Sequence, residues 1–178
     1  MNKFVIVING QGGVGKDTLC AMAAKAYRVK NVSSVTPIKE IAARCGWGGE
    51  KTDRARKFLS DLKALTVEYN DFPTNWVVEE YARFLESEDE VMFVHIREPE
   101  EIRKFVSRVP RAITLLIRGG TRFRRSKKEY GNASDDGVER YRYDYVFYND
   151  APLEKTETVF NAFLANVIRE RTSSEGEA

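Results

Sequence analysis

The chain has little cysteine, almost no net charge, no long apolar run and no repeat. Its two cysteines, Cys20 and Cys45, lack metal-ligand spacing and cannot build a disulfide framework. A reducing cytoplasm is the expected location. With 29 basic and 27 acidic residues the net charge is only +2, so the chain is not a polycation that would coat nucleic acid or an anionic membrane. Any basic site must be local. The apolar runs are too short to span a bilayer, and no basic stretch with a cleavage site precedes the first strand, so a soluble, unexported protein is expected. Neither internal repeats nor a low-complexity linker divide the 178 residues, a length that suits one domain and is short for two. A single domain over residues 1–171 is expected. Residues 172–178 are small and acidic without apolar periodicity and read as a disordered tail.

What is present is concentrated near the start. Residues 10–18 read Gly-Gln-Gly-Gly-Val-Gly-Lys-Asp-Thr, the G-x-x-x-x-G-K-[ST] phosphate loop with Asp17 in the slot where Ser or Thr normally meets magnesium. The flanks are those the loop requires. Lys3 to Asn9 (KFVIVIN) is an apolar run of strand length, and Lys16 to Lys30 is an Ala-rich stretch with helical spacing. The loop residues Gly10, Gln11, Gly12, Gly13, Val14 and Gly15 would offer backbone N–H donors to phosphates, helped by the positive end of the following helix. Lys16 would reach the β- and γ-phosphates, Thr18 an α-phosphate oxygen, and Asp17 a magnesium ion. The plainer alternative is a glycine-rich turn in which Asp17 only complements the helix dipole.

Further along, the pattern alternates. A short strand is expected over residues 31–35 and a short helix from Thr36-Pro37 to Cys45. After the Gly46 to Gly49 loop, Thr52 to Tyr69 reads as a helix with Phe58, Leu62 and Leu65 on one face, and Pro73 opens another through Leu85. Strands are expected at 90–96 (EVMFVHI), 111–117 (RAITLLI) and 143–148 (YDYVFY), with helices over 99–107 and 153–168. Such alternation points to a parallel sheet covered by helices on both faces. Between them, Arg118 to Lys128 carries six basic residues among eleven and reads as a solvated loop.

In this order of parts the chain resembles the P-loop nucleoside monophosphate kinase superfamily over nearly its whole length. GKDT at Gly15 to Thr18 and HIREPEE at His95 to Glu101 are similar to phage-type deoxynucleoside monophosphate kinases, whose second site reads D-V-R-x-x-N-E. YDYVFYND at Tyr143 to Asp150 resembles the closing strand of guanylate and dephospho-coenzyme A kinases. The resemblance implies a three-layer α/β fold with a five-stranded parallel sheet in the order 2-3-1-4-5, an acceptor-binding insertion at about 36–88 and a lid at about 118–142. It implies ATP and Mg2+ as cofactors and a small phosphorylated acceptor, most like a nucleoside or deoxynucleoside monophosphate. Dephospho-coenzyme A and phosphomevalonate are alternative acceptors used by relatives with similar loops.

By the same resemblance Arg97, with Arg56, holds the acceptor phosphate. Arg118 packs on the donor base, and Arg122 meets the transferring phosphate with Arg140 or Arg142 in support. A guanidinium fork matches phosphate oxygens bidentately, so these residue types suit the task, although Arg56 near Asp53 and Arg97 beside Glu98 could equally be surface ion pairs. The basic loop, with Phe123 and Tyr130 as stacking residues, could also contact nucleic acid, a partner that the low net charge argues against. Trp47, Tyr69, Phe72 and Trp76 could stack on a base or simply be core. The sole histidine, His95, stands where the family has an Asp that supports magnesium, and a packed strand-end residue is its plainer reading. Gly12 to Thr18 (GGVGKDT) also resembles the deviant loop of partition and septum-positioning ATPases, which are nucleotide-switched dimers, but those carry Lys where this chain has Gln11. A catalytically idle nucleotide-binding module is the remaining alternative.

Overall fold

The computed structural model describes residues 3–120 and 137–175. Five parallel strands form one sheet in the order β2-β3-β1-β4-β5. They are β1 (Phe4–Asn9), β2 (Val29–Ser33), β3 (Val91–His95), β4 (Ile113–Gly119) and β5 (Tyr145–Asn149). The helices between them are α1 (Lys16–Ala23), α2 (Thr36–Arg44), α3 (Asp53–Asn70), α4 (Phe72–Glu86), α5 (Pro99–Arg108) and α6 (Leu153–Glu175). The architecture and strand order are those expected from the sequence.

The apolar run of β1 is continuous because both of its faces are covered. Ile6 and Ile8 join Leu19, Phe93, Leu115 and Phe160 on the side of α1 and α6. Val5 and Val7 face the other way and join Val77, Phe84, Met92 and Phe105 on the side of α4 and α5. Alternate residues of a strand point to opposite faces, so a strand at the centre of a three-layer fold must be apolar throughout. Each fully buried side chain of this kind contributes about 1.5–3 kcal/mol.

Several boundaries differ from expectation. The first helix ends at Ala23 rather than near Lys30, and β2 begins two residues early, at Val29. The cause is tertiary: Arg28 O accepts from Glu90 N and Val91 N, and Val29 takes register with Val91, so the chain must leave the helix to meet β3. Helix propensity yields to that pairing. β4 starts at Ile113 and reaches Gly119, because Arg118 and Gly119 pair with Tyr148 and Asn149. Gly119 therefore continues the strand rather than breaking it. Tyr143 lies outside β5 and turns its ring to the α4–α5 side of the core.

Helix α6 extends through Glu175, so residues 172–175 are its last turn rather than part of a tail. Thr172 and Ser173 return their hydroxyls to the carbonyls of Ile168 and Arg169, bonds that let polar residues end a helix without apolar partners. In the expected insertion, α4 belongs to the body, since Val77 and Phe84 are buried in the core. Helix α3 is different. Its only buried residue is Ala55, and Phe58 and Leu65 on the predicted apolar face are exposed, because its neighbours are mainly α2 and α4 rather than the sheet.

Candidate functional site

All five strands run in one direction, so the ends of β1, β3 and β4 bring the phosphate loop, His95, Arg97 and Arg118 to one edge of the sheet. Ligands of open α/β folds bind at this carboxyl edge. The loop between β1 and α1 is tied down at both ends. Gly10 N donates to Asn9 Oδ1 at 2.8 Å, and Asn149 Nδ2 donates to Val14 O at 2.9 Å. Both asparagines are buried. At Gly10 a Cβ would come within 2.5 Å of Ile117 O, so only glycine lets the loop pass β4 this closely. Gly15 takes a left-handed conformation as the cap of α1, whose first N–H groups receive no side-chain cap and face the loop.

Lys16 lies back over the loop, its Nζ donating to Gly10 O at 2.6 Å and Gln11 O at 3.0 Å. Asp17 and Thr18 are exposed on the first turn of α1. Asp17 Oδ1 is 3.9 Å from His95 Nδ1. The other ring nitrogen of His95, Nε2, is 2.8 Å from Asn31 Oδ1 on β2 and 3.8 Å from Cys20 Sγ on α1. Burial holds the His95 pKa below its ordinary value; Asp17 opposes this, while Lys16 and Arg97 add to it. A pKa lowered in this way favours the neutral imidazole. Burial, aided by the charge of Asp17, pushes the Cys20 thiol up to about 12, so it is not a nucleophile there.

Arg97 is exposed two residues beyond β3, and its carbonyl accepts from Asn9 Nδ2 at 3.1 Å. Asn9 Nδ2 also reaches the Tyr143 hydroxyl at 2.8 Å, which in turn donates to Val138 O. One buried asparagine thus joins the phosphate loop, the Arg97 turn and the segment before β5. Arg118 is exposed at the end of β4, with Nη2 2.6 Å from Glu139 Oε2 and its guanidinium over the Tyr148 ring. Arg140 and Arg142 are exposed nearby in the chain, and Arg56 is exposed in the first turn of α3. Arg122, Phe123, Arg124, Arg125 and Tyr130 lie outside the described residues. Among the aromatic candidates, Trp76 packs against the core, Trp47 donates to Glu50 O, and Tyr69 is exposed.

The carboxylate of Glu98, next to Arg97 in sequence, lies 2.7 Å from Lys63 on α3. Lys63 also meets Glu101 at 2.7 Å, and Glu101 is only 7% exposed. Burial lifts the Glu101 pKa above its usual range; for Glu98 burial is again the largest influence, but the charge and hydrogen bond of Lys63 together with hydrogen bonds from Glu101 and the backbone outweigh it and the pKa falls. This trio, buried at Glu101 and half-exposed at Glu98, fixes α3 to the start of α5, directly after Arg97. Lys63→Met should cost about 3 kcal/mol, because it leaves the buried Glu101 carboxylate without its cation while Glu98 turns to water. Urea unfolding checks this, and a loss below about 1 kcal/mol would show that the trio relaxes into water.

Sequence reasoning did not find Asn9, Asn31, Asn149, Tyr143 or Lys63 as site residues. Asn9 alone carried a signal, as the polar residue ending a buried apolar run. Among the described residues no three His, Cys, Asp or Glu side chains gather as a metal site. None of the described helices is long and apolar enough to cross a membrane.

The backbone is similar to solved structures, kinases among them, along nearly its full length. The tunicamycin resistance protein of Deinococcus radiodurans superposes with a TM-score of 0.58 at 12% identity, covering 93% of this chain and 96% of that one. Shikimate kinase from Bacteroides thetaiotaomicron gives 0.53 at 18% identity, over 93% and 98%. This chain has the P-loop kinase fold. A sugar kinase from Janibacter sp. HTCC2649 gives 0.51 at 19% identity, over 93% and 95%. No family model matches the chain, and no curated protein matches it in sequence. At these identities the likeness concerns the fold alone.

Proposed function

We propose that this P-loop kinase fold carries an ATP-dependent phosphotransferase that moves the γ-phosphoryl group to a small phosphorylated acceptor, a nucleoside or deoxynucleoside monophosphate being the favoured class. The observation that carries this is the glycine loop at the carboxyl edge of the sheet, with Lys16 held over it and the uncapped start of α1 facing it. The fold supports the same reading, since solved kinases share it. Lys16 and the loop N–H groups bind the donor phosphates, and Arg118 lies against the donor base. Arg97, supported by Arg56 and Arg140, grips the acceptor phosphate. Arg122 stabilises the charge on the transferring group.

Phosphoryl transfer needs little covalent help from the protein and depends on position and positive charge, which is what this set supplies. A divalent cation would neutralise the donor phosphates when bound. Asp17 offers the hard oxygen that magnesium favours, whereas the neighbouring His95 does not. No other residue is assigned to magnesium.

The test is transfer of label from γ-labelled ATP to a panel of nucleoside and deoxynucleoside monophosphates, with dephospho-coenzyme A and phosphomevalonate included. Label on a monophosphate is the expected result. Hydrolysis independent of every acceptor would favour the nucleotide switch, and binding of ATP without turnover would favour the idle module.

A further inference from the structure

We infer that the Asp17–His95 pair takes a first-row transition divalent cation in preference to magnesium. The inference rests on the nucleotide-binding reading of the loop, because the pair supplies only two protein ligands. The remaining positions must come from donor phosphates and water.

Two observations carry it. First, His95 Nδ1 and Asp17 Oδ1 are 3.9 Å apart. Adjacent ligands on one octahedral ion with bonds of about 2.1 Å stand about 3.0 Å apart, so rotation of the exposed Asp17 side chain, without movement of the backbone, brings both atoms onto a single ion. Second, the far nitrogen of the ring is held: Nε2 is 2.8 Å from Asn31 Oδ1, and in the tautomer that donates Nε2–H to this oxygen the Nδ1 lone pair faces Asp17. A carbonyl oxygen on the far nitrogen is the usual way a protein fixes the tautomer of a ligating histidine. Cys20 Sγ, 3.8 Å from the same nitrogen, flanks the ring and belongs to the helix that carries Asp17, so β2, β3 and α1 all constrain the geometry.

The donor set then decides the ion. Magnesium demands oxygen and gives up its water reluctantly, whereas imidazole nitrogen suits the later first-row metals, whose affinity for mixed nitrogen and oxygen sites rises from manganese onward. An Asp at position 95 would make the pair all-oxygen. The histidine makes it mixed.

Manganese is the conservative probe, being the weakest of that series, and the sole histidine makes its assignment unambiguous. The full chain is prepared with natural and with 15N-labelled histidine, mixed with Mn2+ and ADP, and examined by pulsed electron paramagnetic resonance. A directly bound imidazole nitrogen whose coupling changes with the label is expected. In competition, the Mg2+ needed to displace Mn2+ from the ADP complex should be on the order of tenfold lower for His95→Asp than for the wild type. If Mn2+ and ADP bind the wild-type chain together and no label-dependent coupling is seen, the inference falls while the nucleotide reading stands. If no ADP binds under any metal, both fall. The labelled wild type carries the test even where the variant does not fold.

Discussion

Lys16→Ala should reduce phosphoryl transfer by about 10²–10³-fold at saturating ATP, a loss of the size seen when one preorganised donor over a reacting group is removed. Lys16 donates to Gly10 O and Gln11 O without nucleotide, so the ammonium is already positioned over the loop. On binding ATP it exchanges two carbonyl partners for phosphate oxygens, which bind a cation more strongly than a neutral acceptor does. Its charge matters most in the transition state, where negative charge is redistributed over the transferring group and the leaving oxygen. Turnover should therefore fall much further than ATP affinity. The loop itself should survive, because Asn9 and Asn149 hold it independently of Lys16. Initial rates with the acceptor identified by the panel, together with a thermal melt, check both parts. A variant that keeps more than about a tenth of wild-type turnover would remove Lys16 from the chemistry.

Arg97→Ala should lower kcat/KM for the acceptor by about 10²-fold while ATP binding changes less than about twofold. Asn9 bonds to the backbone carbonyl of Arg97, and that bond does not depend on the side chain. Glu98 and Glu101 remain bound to Lys63, so the start of α5 keeps its place. What is lost is a planar, permanently charged fork able to hold two phosphate oxygens. Arg97→Lys should recover little, because an ammonium restores the charge but not the two parallel bonds. Steady-state kinetics with the acceptor varied, beside direct titration with ATP, separate the two sites. A loss of ATP binding equal to the loss in acceptor use would move Arg97 to the donor side.

The strands and the loop were legible in the sequence because their causes are local. An apolar run covered on both faces, a glycine-rich turn and a helix start with Pro at its first turn all leave a signature within ten residues. The errors fall where partners far away in the chain decide. Helix α1 stops early because Arg28 must meet Glu90 and Val91, and Tyr143 leaves the strand because its ring packs in the core and its hydroxyl bonds to Asn9 and Val138. The face of α3 carrying Phe58 and Leu65 has helical spacing, yet it is exposed, since periodicity reports a helix but not what covers it.

The same division runs through the candidate site. The residues of the phosphate loop could be named from the sequence, and so could the Arg97 turn, because chemistry of that kind needs particular residue types at fixed spacing. By itself the sequence determined a parallel three-layer α/β domain opening on a phosphate loop, with Asp17 and a solitary His95 as its two departures. Only the tertiary structure decided that these two departures face each other, that Asn31 meets the far nitrogen of the His95 ring, and that Lys63 takes the carboxylates of Glu98 and Glu101. Residues 17, 31 and 95 lie on three different elements, and their meeting depends on the order in which the strands pair. No local pattern encodes that order, which was legible only through the family resemblance and is set physically by long-range burial of the two faces of the sheet.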